Sequence, residues 1–478
     1  MILQDRLPAV LSPVLGTGVA IENLRALTGG ASRSTWAFDA VTNDGRRSLI
    51  LRIGPPDDVH AGMELEARVQ AAAAAAGAPV PPILLATNSP AALGNPFLIC
   101  SEIKGETIVR RIERQLQKGD GTGRARLLRQ CAQALAAIHR ADADDHGLAR
   151  EDQLTAWRER LDAMGDTTAT FEWGFRWLAA HRTPQSPPVL VHGDYRMGNL
   201  IVDGSDLAAV LDWELVHIGE AYEDLAWFCI RAWRFGAPAS RGAGGLGSIE
   251  SFLQAYEEAS GTTVDRVAFH WWLVLATLRW GVICRHQAER HLSGQVRSVE
   301  LATIGRRVCE TEWDLLDLLD GMAPPGDDAR RAAAGGGAGQ SDHGDDAGRV
   351  AAREPAQTAS GDPLHGRPTA AELVAAVAEF LERDVREATS GQVNFHARVA
   401  ANALRTVERE LLDGGDPDVR AALAGLGFAD EAGLAAAIRA GELDGRTSPD
   451  VTACLRTLVR HRLAVAHPGY DSEKEPVP

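Results

Sequence analysis

Residues 190–214 read LVHGDYRMGNLIVDGSDLAAVLDWE, and three of their side chains, Asp194, Asn199 and Asp212, have types and spacing that could do chemistry together. Asp194 and Asn199 lie five apart (199 − 194), around the start of the apolar run NLIVD. A turn and a second run, LAAVLDW, then return Asp212 toward the same end. A plain hairpin with Asp and Asn in its turns would show a similar pattern. Phosphoryl transfer asks for more: a carboxylate that accepts or orients the proton of an attacking hydroxyl, and oxygen donors for a hard cation that bridges phosphates. Asp194 can supply the first, Asn199 and Asp212 the second.

The elements that must position these groups are legible around them. STWAFDA and RSLILRI, joined by TNDG, predict a β-hairpin; ELEARVQAAAAAA predicts a helix ended by Gly77, and GNPFLICSEI another strand. From about residue 120 the pattern is helical apart from the quoted stretch. Strands first and helices later predict an α+β, two-lobed architecture. Residues 323–366, rich in Gly, Ala, Asp and Pro without apolar periodicity, read as a flexible linker. Beyond it, TAAELVAAVAEFLERDV, NFHARVAANALRTVEREL and DVTACLRTLVRHRLAV carry apolar residues at helical spacing, so 367–470 reads as a small all-α domain.

The chain has 478 residues, 45% hydrophobic and 24% charged, which suits two or three globular domains. Its formal net charge of −16 argues against nucleic acid as the main partner, because phosphate-backbone binding needs a basic face. The six cysteines form no CxxC pair and read as reduced, buried thiols. The N-terminal segment lacks the pattern of a signal peptide, and the apolar run WWLVLATL (271–278) is too short to span a bilayer, so a cytoplasmic protein without membrane insertion is expected. His270, His286 and His291 are too dispersed for a metal site, and Trp271, Trp272 and Trp280 read as core.

The combined signature HGDYRMGNLIVD…AVLDWE resembles that of the aminoglycoside phosphotransferase and choline kinase-like superfamily, relatives of the protein kinases. The five-residue separation is that of the catalytic Asp and magnesium-binding Asn in kinase catalytic loops. The resemblance implies a two-lobed protein-kinase-like fold, with a β-rich N-lobe over 1–104 and a helical C-lobe over 105–322. It implies Asp194 as catalytic base, Asn199 and Asp212 as metal ligands, His192 as a brace, and Asp224 as the acid that ties down the catalytic-loop backbone. LTGGASRSTW (27–36) takes the place of the loop over the ATP phosphates, with Gly29 and Gly30 for close approach and Ser32 and Ser34 as donors. Arg52 takes the place of the strand cation on the phosphates, where many members carry Lys. Glu66 matches the acid that pairs with it, and Glu102 to Lys104 take the place of the adenine-binding hinge. Glu214 reads either as a helper of the metal or as an orienting residue, and His139 as a packed or capping histidine.

The expected reaction is ATP- and Mg2+-dependent transfer of a γ-phosphoryl group to a small-molecule hydroxyl. CIRAWRFGAPASRGAGGLGSIESFLQAYEEASG and RSVELATIGRRVCETEWDLLDLL resemble the kinase-like domains attached to some acyl-CoA dehydrogenases, which act on 4-hydroxyacyl-CoA. That subgroup implies a coenzyme A thioester as acceptor, and an acyl-CoA dehydrogenase partner or a homo-oligomer through the C-terminal domain. The domain resembles a bacterial helical domain of unknown function. Arg231, Arg234, Arg241, Arg279, Arg285, Arg306 and Arg307 bias this region toward an anionic acceptor. The alternatives are an aminoglycoside-type antibiotic kinase, and a pseudokinase that binds nucleotide or acyl-CoA and regulates a partner.

Overall fold

The computed structural model of the protein describes residues 3–27, 33–54, 62–119, 121–142, 147–320, 368–444 and 448–472. Gly29, Gly30, Ser32 and the expected linker over 323–366 lie outside the described residues. The chain opens with helix α1 (Leu3–Leu15) and a five-stranded antiparallel sheet in the order β1-β2-β3-β5-β4. Its strands are β1 (Ala20–Leu27), β2 (Ser34–Thr42), β3 (Gly45–Ile53), β4 (Ile83–Thr87) and β5 (Phe97–Ser101). Thr42 pairs with Gly45, so Asn43 and Asp44 form a two-residue loop, as the TNDG stretch predicts.

Side chains alternate across the sheet, and that alternation decides what reaches the site. Leu49 and Leu51 of β3 join Phe38, Ala40, Phe97 and Ile99 in a core closed by Leu7 and Leu11 of α1. Ile50 packs on the opposite side with Leu98, Cys100 and Met63, the first residue of α2 (Met63–Ala75). Arg52 shares the parity of Ile50, which sends it toward α2 and its Glu66.

After β5 the chain becomes helical, with α3 (Val109–Lys118), α4 (Gly123–Arg140), α5 (Gln153–Ala163) and α6 (Ala169–Ala180). The interruption comes where the sequence places it: β6 (Val189–Val191), the hairpin β7 (Leu200–Asp203) and β8 (Asp206–Val210), and β9 (His217–Gly219), which pairs with β6. Helices α7 (Ala221–Cys229), α8 (Ile249–Ser260) and α9 (Arg266–Leu292) follow. The run 271–278 belongs to the 27-residue α9, longer than the run alone indicates and apolar enough by composition to cross a bilayer. Here Trp271, Leu273, Val274, Leu275 and Leu278 are buried, so the apolarity of α9 serves the lobe's core. The architecture is a kinase-like fold with an antiparallel N-terminal sheet and a helical C-lobe, followed by a C-terminal helical region.

Contacts divide the chain into two compact units that cut across the ranges 1–104, 105–322 and 367–470 read from the sequence. One comprises Met1–His286, Glu431–Gly445 and Tyr470–Pro478. In it the helix Glu431–Ala440 packs on α6 and buries Leu434, Ala435, Ala437 and Ile438. The other comprises Gln287–Asp430 and Arg446–Gly469. There the helix Ser448–Ala466 packs on Val308–Asp320, and Arg456 reaches Asp317 and Asp320 at 2.9 and 2.6 Å.

All six cysteines are buried and none is in a disulfide. Burial disfavours the thiolate, pushing Cys100 up to about 11 and Cys131 up to about 12. At neutral pH both are therefore protonated and weakly nucleophilic. In native protein at pH 7.5, iodoacetamide followed by peptide mass mapping should leave Cys100 and Cys131 unmodified. Full labelling is expected only in denaturant, and rapid native labelling would contradict their burial.

Candidate active site

The turn that carries Asp194 is shaped by contacts that its sequence makes nearly unavoidable. Gly193 adopts φ +84°, and a Cβ there would stand 2.4 Å from the Leu215 carbonyl oxygen. Only glycine fits. The backbone N–H groups of His192 and Gly193 donate to the two Asp224 oxygens at 2.7 and 2.9 Å. The His192 ring bonds the Leu211 carbonyl at 2.9 Å, and the Leu211 N–H donates to the Asn199 carbonyl at 2.8 Å. Asp212 follows directly and holds φ +67°, an uncommon conformation for a non-glycine residue. Such a residue persists where its surroundings over-determine it.

Asp194 and Asn199 are brought together: the Asn199 Nδ2 donates to Asp194 Oδ2 at 2.7 Å and to the Asp194 carbonyl at 2.9 Å. Trp227 of α7 donates its indole N–H to Asp194 Oδ1 at 2.8 Å, and Arg196 Nε lies 3.0 and 3.1 Å from the two oxygens. Asp212 is linked instead to the N-lobe, its Oδ1 accepting from Arg52 at 2.6 Å. Arg52 also bonds Glu66 at 3.3 Å, so one cation spans the two lobes. Burial works against the charge on Arg52, but Glu66, Asp212 and Glu214 outweigh it and raise its pKa. Burial pushes the fully buried Glu66 carboxyl up against the lowering effect of Arg52 and Arg33.

The remaining expected residues fall at the edges of this group. Ser34 begins β2 and pairs with Ile53, beside Arg52. Glu102 donates its N–H to Ser48 at 3.0 Å, which commits that donor to the sheet, and its side chain meets Arg25 at 3.3 Å. Lys104 is exposed. Gly105, at φ +143°, lets the segment after β5 lie against the β7–β8 hairpin, since a Cβ would meet Ile201 at 2.5 Å. Glu106 and Val202 then exchange backbone bonds at 2.9 and 3.0 Å.

Sequence reasoning missed three supports. Arg33 pairs with Glu66 and lies 3.6 Å from Glu214, giving that acid an ionic partner. His139 sits between Tyr256 at 2.8 Å and Asp224 at 3.3 Å. Arg279, expected on the acceptor side, is buried beneath the turn, donating to the Gly193 carbonyl at 2.6 Å and lying 4.3 Å from the Trp227 ring. The other expected acceptor-side arginines also divide. Arg285 pairs with Asp166, and Arg231 donates to the Tyr470 carbonyl at 2.9 Å. In the second unit Arg306 meets Glu410 and Arg307 meets Glu310. Of these seven, only Arg234 and Arg241 line a cavity of about 350 Å³ bordered by Met197, which follows Asp194 in the same turn. Arg110 and Arg114 of α3, which the sequence did not single out, line it too, with Glu113 as its acid. Arg241 bonds Glu113 at 3.0 Å.

Burial alone would raise the Asp224 carboxyl; the His139 bond, the histidine charges and the His192 N–H outweigh it and hold it below the usual carboxylate range. A depressed carboxyl contributes stability above its unfolded value, near 3.8, and loses it as pH falls through the lower folded value. Asp224→Asn should therefore lose about 3 kcal/mol at pH 7, with a flatter loss of stability below about pH 4. Urea unfolding at both pH values, followed by tryptophan fluorescence, checks this; unchanged stability would remove Asp224 as the anchor of the turn.

Residues 387–470 match a family described as a domain of unknown function (DUF6285). Mouse acyl-CoA dehydrogenase family member 10 is 27% identical over 339 residues, covering 65% of this chain and 31% of that protein. Chicken acyl-CoA dehydrogenase family member 11 is 30% identical over 213 residues, covering 41% of this chain and 26% of that protein. The chain thus spans about a third or less of these relatives' length. A solved structure from Ralstonia eutropha, named as an aminoglycoside phosphotransferase, shares the fold with a TM-score of 0.55 at 22% identity, over 66% of this chain and 98% of that one. Residues 23–270, more than half of the chain and inclusive of the Asp194 turn, match the phosphotransferase enzyme family, and the chain belongs to it.

Proposed function

We propose that the protein transfers the γ-phosphoryl group of ATP to a hydroxyl on a small anionic acceptor, of the hydroxyacyl-coenzyme A class. The observation that carries the acceptor class is the cavity beside Met197, where Arg110, Arg114, Arg234 and Arg241 face one acid, Glu113. A polycationic aminoglycoside would meet like charge there, whereas the phosphates of a coenzyme A thioester would meet complementary charge. The named likeness to acyl-CoA dehydrogenase family members supports the same choice.

In this reading Asp194 receives or orients the acceptor hydroxyl proton, its carboxylate aimed by Trp227, Asn199 and Arg196. Arg52, held by Glu66, faces the phosphates, with Ser34 at the margin of their loop. Asn199 and Asp212 offer an amide oxygen and a carboxylate, an all-oxygen donor set that suits Mg2+. When bound, Mg2+ would neutralise phosphate charge and align the γ-phosphoryl group. The hinge from Glu102 to Lys104 would meet the adenine through the Glu102 carbonyl and the following backbone. The intact set of Asp194, Asn199 and Asp212 favours an enzyme over a regulatory pseudokinase.

The test is ATP turnover by purified protein against 4-hydroxyacyl-CoAs, aminoglycosides and small amino alcohols. Turnover of a hydroxyacyl-CoA that weakens with ionic strength is expected; efficient turnover of polycations alone would overturn the reading. Asp194→Asn should lower kcat about 100-fold or more, with ATP affinity little changed. Arg234→Ala should raise KM for the acceptor about 10-fold and leave KM for ATP within about twofold.

A further inference from the structure

One wall of the acceptor cavity is built from short 3-10 turns rather than from a long helix or a strand. After α7 the chain makes a short turn over Arg231–Arg234, and Phe235 then adopts φ +52°. Phe235 is 46% exposed, so burial of its ring does not explain why this conformation persists. An aromatic residue in the left-handed region needs outside constraints. On the catalytic side, the Trp233 ring lies 4.8 Å from the Arg196 guanidinium, which itself bonds Asp194. At the start of the turn the constraint comes from the far end of the chain. Arg231 donates to the Tyr470 carbonyl at 2.9 Å and lies 4.1 Å from the centre of the Tyr470 ring.

A second return of the C-terminal region, in the same compact unit, grips the same lobe. Glu431 accepts the N–H of Ala169 at 3.2 Å, placing a carboxylate at the start of α6. Arg439 forks onto both oxygens of Asp162 at 2.9 and 2.7 Å, and Asp162 with Glu172 also holds Arg158. Arg176 pairs with Asp444. From α6, Leu178 accepts the Trp271 indole N–H at 2.9 Å, and Trp271 lies on α9, the helix that carries Arg279.

We propose that the two C-terminal returns in this unit form a strap on the phosphotransferase lobe, anchored by Glu431–Ala440 on α6, and that Tyr470 is a positioning residue for the acceptor wall. The wall, through Arg234, borders the cavity assigned above to the acceptor, so the consequence for substrate affinity rests on that reading. The strap itself does not. Within this unit the two returns act in cis, by fixing where Arg234 stands relative to Asp194.

Hydrogen exchange on the full chain separates the two. Tyr470→Ala should speed amide exchange over 231–246 by about fivefold, the size expected for losing one guanidinium–ring contact. Exchange over 97–104 and 194–199 should stay as in the unaltered protein. Tyr470→Phe keeps the ring and should behave as the unaltered chain. With coenzyme A as the probe, calorimetry should show about fivefold weaker binding in Tyr470→Ala and unchanged ATP binding. Unchanged exchange over 231–246, or an even rise throughout the unit, would overturn the strap. Equal effects of Phe and Ala would overturn the role of the ring. Faster exchange confined to 231–246, with coenzyme A bound by neither protein, supports the strap and counts against the anionic acceptor alone.

Discussion

Two backbone N–H groups, those of His192 and Gly193, end on one fully buried carboxylate, and the geometry of the whole site follows from that pairing. Asp224 can remain charged in the interior because four groups converge on it: the two amides, the His139 ring and the nearby His192. An unpaired carboxylate in that position would cost several kcal/mol. With the two amides fixed, the next residue, Asp194, has little freedom, and Trp227 from the same helix as Asp224 sets the direction of its carboxylate. One short helix therefore supplies both the anchor of the turn and the aim of its acid.

Charge burial is handled differently on the two sides of this turn. On the N-lobe side, Arg33 and Arg52 surround Glu66, and Arg52 extends to Asp212. Each ion there has a partner, which is the condition under which buried charges are tolerated. Beneath the turn Arg279 has aromatic faces and a carbonyl as its nearest partners, and burial lowers its pKa. A guanidinium suits that place, because its flat surface stacks on Trp157 and Trp227 while its edge reaches the Gly193 carbonyl. The cation and the acid that hold the turn thus arrive from different helices, α9 and α7.

The wall of the cavity beside Met197 is made of weaker material. It is a short turn with one non-glycine residue at positive φ, Phe235, fastened by aromatic and guanidinium contacts rather than by a sheet or a helix pair. Binding surfaces are commonly built this way, with variable loops on a rigid scaffold. It also explains why the arginines of this region had to be sorted by structure. Arg234 and Arg241 border the cavity, Arg231 is engaged by Tyr470, and Arg279 is part of the scaffold.

Much of the site was legible in the sequence because its members are close along the chain. Asp194 and Asn199 belong to one turn, and the hairpin that follows leads to Asp212, so their nearness along the chain could be read from the strand period and turn residues. The alternation along β3 likewise turned Arg52 toward Glu66 on the next helix. The supports that were not legible join residues far apart: His139 with Asp224, Arg279 with Gly193, Arg33 with Glu214, and Tyr470 with Arg231. Arg110 and Arg114 sit on an ordinary charged helix, and nothing in their spacing distinguishes a cavity wall from a solvated face. By itself the sequence determined which local elements form, because short-range periodicity and backbone sterics act within a few residues. Only the tertiary structure decided which charges meet, and so which arginines are scaffold and which line the cavity, because Coulomb and hydrogen-bond energies depend on distances that chain separation does not encode.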